Sequence, residues 1–307
     1  MNIGAASAAL AGLRREPGPD VPGSPDLLGT RPDEPKGAGS HDLGLRIISA
    51  AILAPLAIVT AYIGGWPFVA FWGAAALAIW WEWIRLVQPD AHRGAFIAGA
   101  CAFIIEASLA GTGRLVVAIL IALLGALAAG AMATRNSLWT AGGVLYASSL
   151  LLALVFIRNG AEVGFIAIIF LFAVVWATDI FGYFVGRTMG GPKLAPSISP
   201  KKTWSGAIGG LLGAAAAALA IAMAIREVPL LTALTLGLTL SVVAQAGDLF
   251  ESQLKRRFVA KDASGLIPGH GGVMDRLDGF LAAAVAMALF GIARVSAGAP
   301  MRGFVVW

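Results

Sequence analysis

Residues 252–278 read SQLKRRFVAKDASGLIPGHGGVMDRLD and gather acids, bases and glycines into one short run. Eight of these 27 residues are charged (Lys255, Arg256, Arg257, Lys261, Asp262, Asp275, Arg276 and Asp278), against 13% for the whole chain. Carboxylates are hard oxygen ligands suited to magnesium, which one or two of them can hold while water or substrate phosphates complete the shell. Lysines and arginines neutralise phosphate oxygens, and a glycine turn lets backbone N–H groups come close to an anion. The run therefore has the residue types of a metal and phosphate site.

Asp248 just precedes it, in LSVVAQAGDLFES, near the end of an apolar stretch. A carboxylate at the middle of a membrane helix costs about 2.5–3.5 kcal/mol, less near the interface, so it usually has a partner. A helix continuing through this segment places Asp248, Ser252 and Lys255 at i, i+4 and i+7, on one face. The arrangement reads either as a structural Asp–Lys pair or as a metal ligand beside a phosphate-binding lysine. Asp275 and Asp278 open the last apolar segment, where acids also cap N–H groups and complement the helix dipole. Asp275 follows PGHGGVM, a turn that could fold the loop back toward Asp248. A second polar loop, residues 179–205, starts at Asp179 and ends in SPKKTWS.

These loops need elements to position them, and composition says which. Hydrophobic residues make up 58% of the chain and mean hydropathy is +0.83, above the roughly 45–50% apolar usage of ordinary globular domains. Nine apolar segments, near 45–64, 66–84, 94–112, 115–134, 137–157, 163–185, 203–225, 230–250 and 279–297, are each near the length that spans a bilayer. No period-2 pattern argues for a barrel. The expectation is an all-α polytopic membrane protein of about nine transmembrane helices, with a single transmembrane domain over 44–307. Residues 1–43 carry Pro17, Pro19, Pro22, Pro25, Pro32 and Pro35 without apolar periodicity and read as a flexible tail.

With the N-terminus inside, 17 of the 22 lysines and arginines fall on the inner side, leaving Arg114, Arg158, Arg226, Arg294 and Arg302 outside. This positive-inside bias puts both polar loops in the cytoplasm, where nucleoside triphosphates are available. The net charge of +5 is then a matter of topology and anionic phosphate ligands, and no nucleic-acid partner is expected.

Residue by residue, the 252–278 run resembles the signature of the phosphatidate cytidylyltransferase family, also called CDP-diacylglycerol synthases. The resemblance is carried by Ser252, Leu254, Lys255 and Arg256, by Lys261, Asp262 and Ser264, and by Ile267, Pro268, His270, Gly271, Gly272 and Val273. It closes on Asp275, Arg276, Leu277 and Asp278. ISPKKTW at 198–204 is similar to the family's inner-loop motif, and the similarity covers roughly residues 170–298. Many members have an acid directly after the Thr-aromatic pair; Ser205 stands there in this chain, so no metal-binding or acid–base role is expected of it.

The resemblance implies an enzyme of phospholipid biosynthesis in a bacterial inner membrane, forming CDP-diacylglycerol and pyrophosphate from CTP and phosphatidate. Mg2+ is its cofactor, with room for a second metal ion, and a homodimer is implied. The nucleophile, a phosphate monoester with a second pKa of about 6, is already largely dianionic at neutral pH and needs no general base. What must be overcome is repulsion between two anions and charge developing on the leaving group, the task of metals and fixed cations.

On this reading Asp248, Lys255 and Asp275 form the catalytic set. Asp248 and Asp275 hold the metal, with Asp179 and Asp278 alongside. Lys255, Arg256 and Lys261 neutralise phosphates, and Gly271 and Gly272 bring backbone against one. Ser199, Lys201, Lys202 and Thr203 contact nucleotide or lipid headgroup, and Ser252, Arg276 and His270 complete the substrate-binding set. His270 orders the loop or binds phosphate rather than acting as a base.

Elsewhere, the lone Cys101 is expected to be buried by packing, and Trp80, Trp81 and Trp83 to form an interfacial belt. The spacing of Gly182, Gly186 and Gly190 permits a close helix contact. Glu106, inside an apolar segment, fits a headgroup contact, a salt bridge or packing. Two other functions fit the composition. A CTP-dependent lipid kinase would need a group to orient a hydroxyl nucleophile. An ion-coupled transporter would place its charges near the midplane, whereas here they gather on one side.

Overall fold

The computed structural model describes residues 38–90, 93–159, 161–225, 228–260, 263–267 and 271–293. Most of the proline-rich tail lies outside them, as do Lys261 and His270. From Ser40 onward the chain clusters as one unit. Among the described residues it forms nine helices: α1 (Ala38–Ile63), α2 (Gly65–Val87), α3 (Arg93–Gly111), α4 (Leu115–Ala131), α5 (Ser137–Arg158), α6 (Ala161–Met189), α7 (Trp204–Ile225), α8 (Leu230–Arg257) and α9 (Met274–Ala293). The nine apolar segments correspond to these helices in order. Seven of them, α2, α3 and α5–α9, are long and apolar enough to cross a membrane, whereas α4 and the Ile48–Ile63 part of α1 are shorter. The chain is an integral membrane protein.

Boundaries shift where polar residues were expected to end a helix. α1 takes in residues 38–43, assigned above to the tail. α8 continues to Arg257, so Asp248, Ser252 and Lys255 do share a helix face. α9 begins at Met274 and includes both Asp275 and Asp278. α6 ends where Gly190 and Gly191 adopt φ of 61° and 103°, conformations open to glycine but strained for other residues. Pro192 follows, and a two-stranded antiparallel hairpin, β1 (Lys193–Ala195) and β2 (Ser199–Thr203), interrupts the otherwise helical chain. The Trp204 amide donates to the Pro192 carbonyl at 3.0 Å and closes the hairpin onto α7.

Helices α2–α5 pack together, as do α6–α9. An aromatic stack joins the two groups: Phe280 of α9 lies 5.3 Å from Trp72 of α2 and 5.2 Å from Phe172 of α6, ring centre to ring centre. Trp80 and Trp83 do not form the expected belt. Both are buried; Trp80 Nε1 donates to the Phe96 carbonyl at 3.1 Å and Trp83 Nε1 to the Trp139 carbonyl at 2.8 Å. Their indole N–H groups find carbonyls on neighbouring helices, so burial leaves them satisfied. Cys101, expected inside, is exposed on α3, a position an apolar thiol accepts equally well against lipid. Glu106 is buried and accepts a hydrogen bond from Ser148 Oγ at 2.6 Å, which identifies its partner as a hydroxyl rather than a headgroup or a cation.

The tightest helix pair is α6 with α7. Gly182 and Gly186 meet Gly206 and Gly210; a Cβ on Gly206 would lie 2.8 Å from the Gly182 carbonyl oxygen and 3.2 Å from the Gly186 Cα. Small residues let backbones approach where lipid gives helices no hydrophobic reason to associate. Gly206→Leu should therefore force the pair apart and destabilise the protein by about 1–3 kcal/mol, the usual effect of overpacking. Thermal unfolding in detergent, followed by size-exclusion chromatography, reads this as a lower midpoint; a midpoint equal to the parent's refutes the close contact.

Candidate active site

Four helices and the hairpin enclose a cavity of about 1010 Å3. Asp179 enters from α6, Asp248 and Glu251 from α8, and Asp275 and Asp278 from α9. Lys201, Lys202 and Thr203 come from β2, with Ser252, Lys255 and Arg276 alongside. Acids separated by up to 99 positions in the chain thus line one space, with basic side chains between them.

Close backbone packing brings them there. A Cβ on Gly247 would fall 2.8 Å from the Asp278 carbonyl oxygen, and one on Gly279 would fall 2.9 Å from the Ala244 carbonyl oxygen. α8 and α9 can approach only because both positions are glycine, and their neighbours Asp248 and Asp278 consequently enter the same cavity. The hairpin delivers Lys202 from the other side, where it forms an ion pair with Asp248. Thr203 Oγ1 accepts the Gly206 N–H at 3.1 Å. It caps the first turn of α7, and so fixes the end of β2, just after the two lysines.

Lys255 does not pair with Asp248, although both lie on one face of α8. Its Nζ stands 2.7 Å from Glu251 Oε2 and 2.9 Å from Asp275 Oδ1, joining α8 to the start of α9. The Asp275 carboxylate also accepts the Ala263 N–H at 3.1 Å and the Gly272 N–H at 3.0 Å. The backbone donors orient this acid, and Lys255 supplies the balancing charge. Gly271 has φ of 89°, and its Cβ position would lie 3.2 Å from Asp275 Oδ2. The glycine turn is therefore wrapped around the chain's own carboxylates.

Among the predicted site residues, Asp179, Lys201, Lys202, Thr203, Asp248, Ser252, Lys255, Asp275, Arg276 and Asp278 line the cavity. Ser199, Arg256, Gly271 and Gly272 do not. Arg256 Nε instead faces the Ile198 carbonyl at 3.5 Å, toward the hairpin. Lys261 and His270 lie outside the described residues.

Two further acids, absent from the predicted set, belong to this region. Glu251, four residues before Lys255, lines the cavity. Glu82 of α2 is fully buried and binds the loop ahead of α9 through Ser264, Val273 and Met274. The signal that singles out Asp248, a carboxylate in an apolar helix, is present at both.

The donor set suits a hard divalent ion: carboxylate oxygens reach one space from three helices. No group of three or more acidic, histidine or cysteine side chains among the described residues is close enough to hold an ion alone. An ion bound here would therefore need further ligands from water or substrate phosphates.

Phosphatidate cytidylyltransferases of several bacteria are similar to this chain. The phosphatidate cytidylyltransferase of Brucella abortus biovar 1 (strain 9-941) is 42% identical over 258 residues, covering 81% of this chain and 93% of the relative. The phosphatidate cytidylyltransferase of Bacillus subtilis (strain 168) is 40% identical over 126 residues, 41% of this chain and 47% of its own length. That of Rickettsia bellii (strain RML369-C) is 40% identical over 121 residues, 37% of this chain and 52% of its own length. The profile of the Cytidylyltransferase family matches residues 44–293, nearly the whole helical body that shapes the cavity, and the chain belongs to that family.

Proposed function

We propose that this protein is a phosphatidate cytidylyltransferase, converting CTP and phosphatidate to CDP-diacylglycerol and pyrophosphate. The observation that carries the reading is the pairing inside the cavity. Asp248 is matched with Lys202, and Asp275 with Lys255, on three elements that meet in a family of cytidylyltransferases. Each lysine can exchange its carboxylate for a phosphate oxygen when substrate arrives, leaving the acid to a metal ion.

In the reaction an oxygen of the phosphatidate phosphate attacks the α-phosphorus of CTP. The bond from that phosphorus to the bridging oxygen breaks, and pyrophosphate leaves. Asp248 and Asp275 are the residues that would hold Mg2+, with Asp179 and Asp278 beside them and space for a second ion. The ion supplies charge neutralisation on the phosphates. Lys202 and Lys255, with Lys201 and Arg276, bring the two anions together and offset charge on the leaving group. Thr203 and Ser252 donate hydroxyl hydrogen bonds to the same oxygens. Ser199 on β2 and Arg256 on α8 would contact substrate from beside the cavity, and Lys261 and His270 are assigned to phosphate binding on the family resemblance.

The reading extends to a bacterial inner membrane with the cavity toward the cytoplasm, supported by the positive-inside count, and to a homodimer, supported by the family resemblance. Purified protein mixed with cytidine-labelled CTP, phosphatidate and magnesium should yield a labelled lipid and pyrophosphate in equal amounts. Release of CDP with phosphorylation of a lipid hydroxyl would establish a kinase instead. Substrate flux in proteoliposomes without nucleotide consumption would establish a transporter.

A further inference from the structure

Glu82 sits on α2, outside the four helices that line the cavity, and takes no part in the transfer described above. Its carboxylate nevertheless collects three hydrogen bonds from the loop that leads into α9. Oε1 accepts Ser264 Oγ at 2.5 Å and the Val273 N–H at 2.8 Å, and Oε2 accepts the Met274 N–H at 2.6 Å. Two of these donors are backbone groups at the start of α9, which has no i−4 carbonyl to satisfy them. A Cβ on Gly272 would fall 2.8 Å from Glu82 Oε1, so the loop lies directly against the carboxylate.

Donors along this loop are divided between two acids. Ser264, Val273 and Met274 give theirs to Glu82, while Ala263 and Gly272 give theirs to Asp275. The segment is thereby strung between α2 and the carboxylate that faces Lys255. α2 itself is anchored close to Glu82. Trp80 and Trp83 donate to carbonyls of α3 and α5, and all three side chains are buried. A fixed helix end thus holds the segment that sets the direction of Asp275.

We propose that Glu82 is a positioning residue for cytidylyl transfer, clamping the loop from α2 so that Asp275 is presented to Lys255 and the cavity. This rests on the transfer reading given above. Glu82→Gln keeps the shape but has one acceptor oxygen, and its amide nitrogen can only donate. At least one of the three donors therefore loses its partner. The expected result is a fall in kcat of about 10²-fold, the scale set by small misplacements of reacting groups. The KM for CTP should stay within about threefold, because the lost interaction acts on the transition-state geometry more than on ground-state binding.

Hydrogen–deuterium exchange on the ligand-free protein supplies a readout independent of turnover. Amides of 263–267 and 271–274 should exchange faster in the variant, while α3 and α5 keep the parent's protection. Ser264→Ala removes one donor and leaves the Glu82 charge in place; it should lower kcat in the same direction by a smaller factor, and it decides the matter if Glu82→Gln fails to fold. Parental kcat with unchanged exchange at 263–267 and 271–274, in whichever variant folds, overturns the proposal. So does loss of protection spread evenly over α2, α3 and α5, which marks a purely structural acid. A parent protein that makes no CDP-diacylglycerol would instead overturn the reaction, and the exchange comparison would still report on the clamp.

Discussion

Replacing Asp248 with alanine should lower cytidylyl transfer by at least about 10³-fold, near the upper end of what one electrostatic group supplies at a reacting centre, and leave the protein folded. The two halves of this expectation come from different features of the same side chain. Asp248 opens into the cavity with Asp179, Asp275 and Asp278, so it is placed where phosphates and a cation would meet. Its own partner, Lys202, is on a two-stranded hairpin, and the two side chains keep 26% (Lys202) and 38% (Asp248) of their surface exposed. Ion pairs that wet contribute about 0–1 kcal/mol, so their loss should scarcely move the unfolding midpoint. Asp248→Asn, which keeps the shape and removes the charge, should be equally inactive. Incorporation of labelled cytidine into lipid, set beside thermal unfolding in detergent, checks both halves. Magnesium-dependent transfer within tenfold of the parent would remove Asp248 from the centre of the mechanism.

Lys255→Met should fail in both respects. Lys255 is 15% exposed and holds together Glu251 and Asp275, whose side chains are 2% and 9% exposed. Methionine fills similar space but leaves two buried carboxylates facing one another. Breaking a buried pair in this way costs about 3–5 kcal/mol, because the remaining charge has no compensation. Transfer should fall with it, since the same ammonium pairs with Asp275 at 2.9 Å. The double variant Glu251→Gln with Lys255→Met separates the two roles. Removing one of the stranded charges should restore much of the unfolding midpoint, while transfer stays lost. If transfer returned along with stability, Lys255 would be only a counter-ion for its neighbours and not a phosphate contact.

The contrast between these two lysines shows what local spacing conveys. The i, i+7 relation of Asp248 and Lys255 places them on one face of α8, and the helix does continue through both. Sharing a face did not make them partners. Lys255 reaches one turn back to Glu251 and across to α9, while Asp248 is met by Lys202, which arrives on the hairpin. Spacing along a helix states which groups are able to touch, and packing of other elements selects among them.

Sequence by itself determined the helical membrane body, the order of its elements, and the two loops where charge gathers near the bilayer. It did so because hydrophobic length and the clustering of charged residues are local properties, legible before any contact is known. The 252–278 run and the SPKKTW segment also pointed to the chemistry of phosphate and metal, residue type by residue type. Tertiary structure alone decided that Trp80 and Trp83 are interior hydrogen-bond donors, that Cys101 faces outward, and that Glu82 grips a loop 182 positions away at Ser264. A buried carboxylate announces in the sequence that it needs donors. Which donors it finds depends on how closely glycine-bearing helices let distant backbones approach, and that is settled only when the whole bundle has packed.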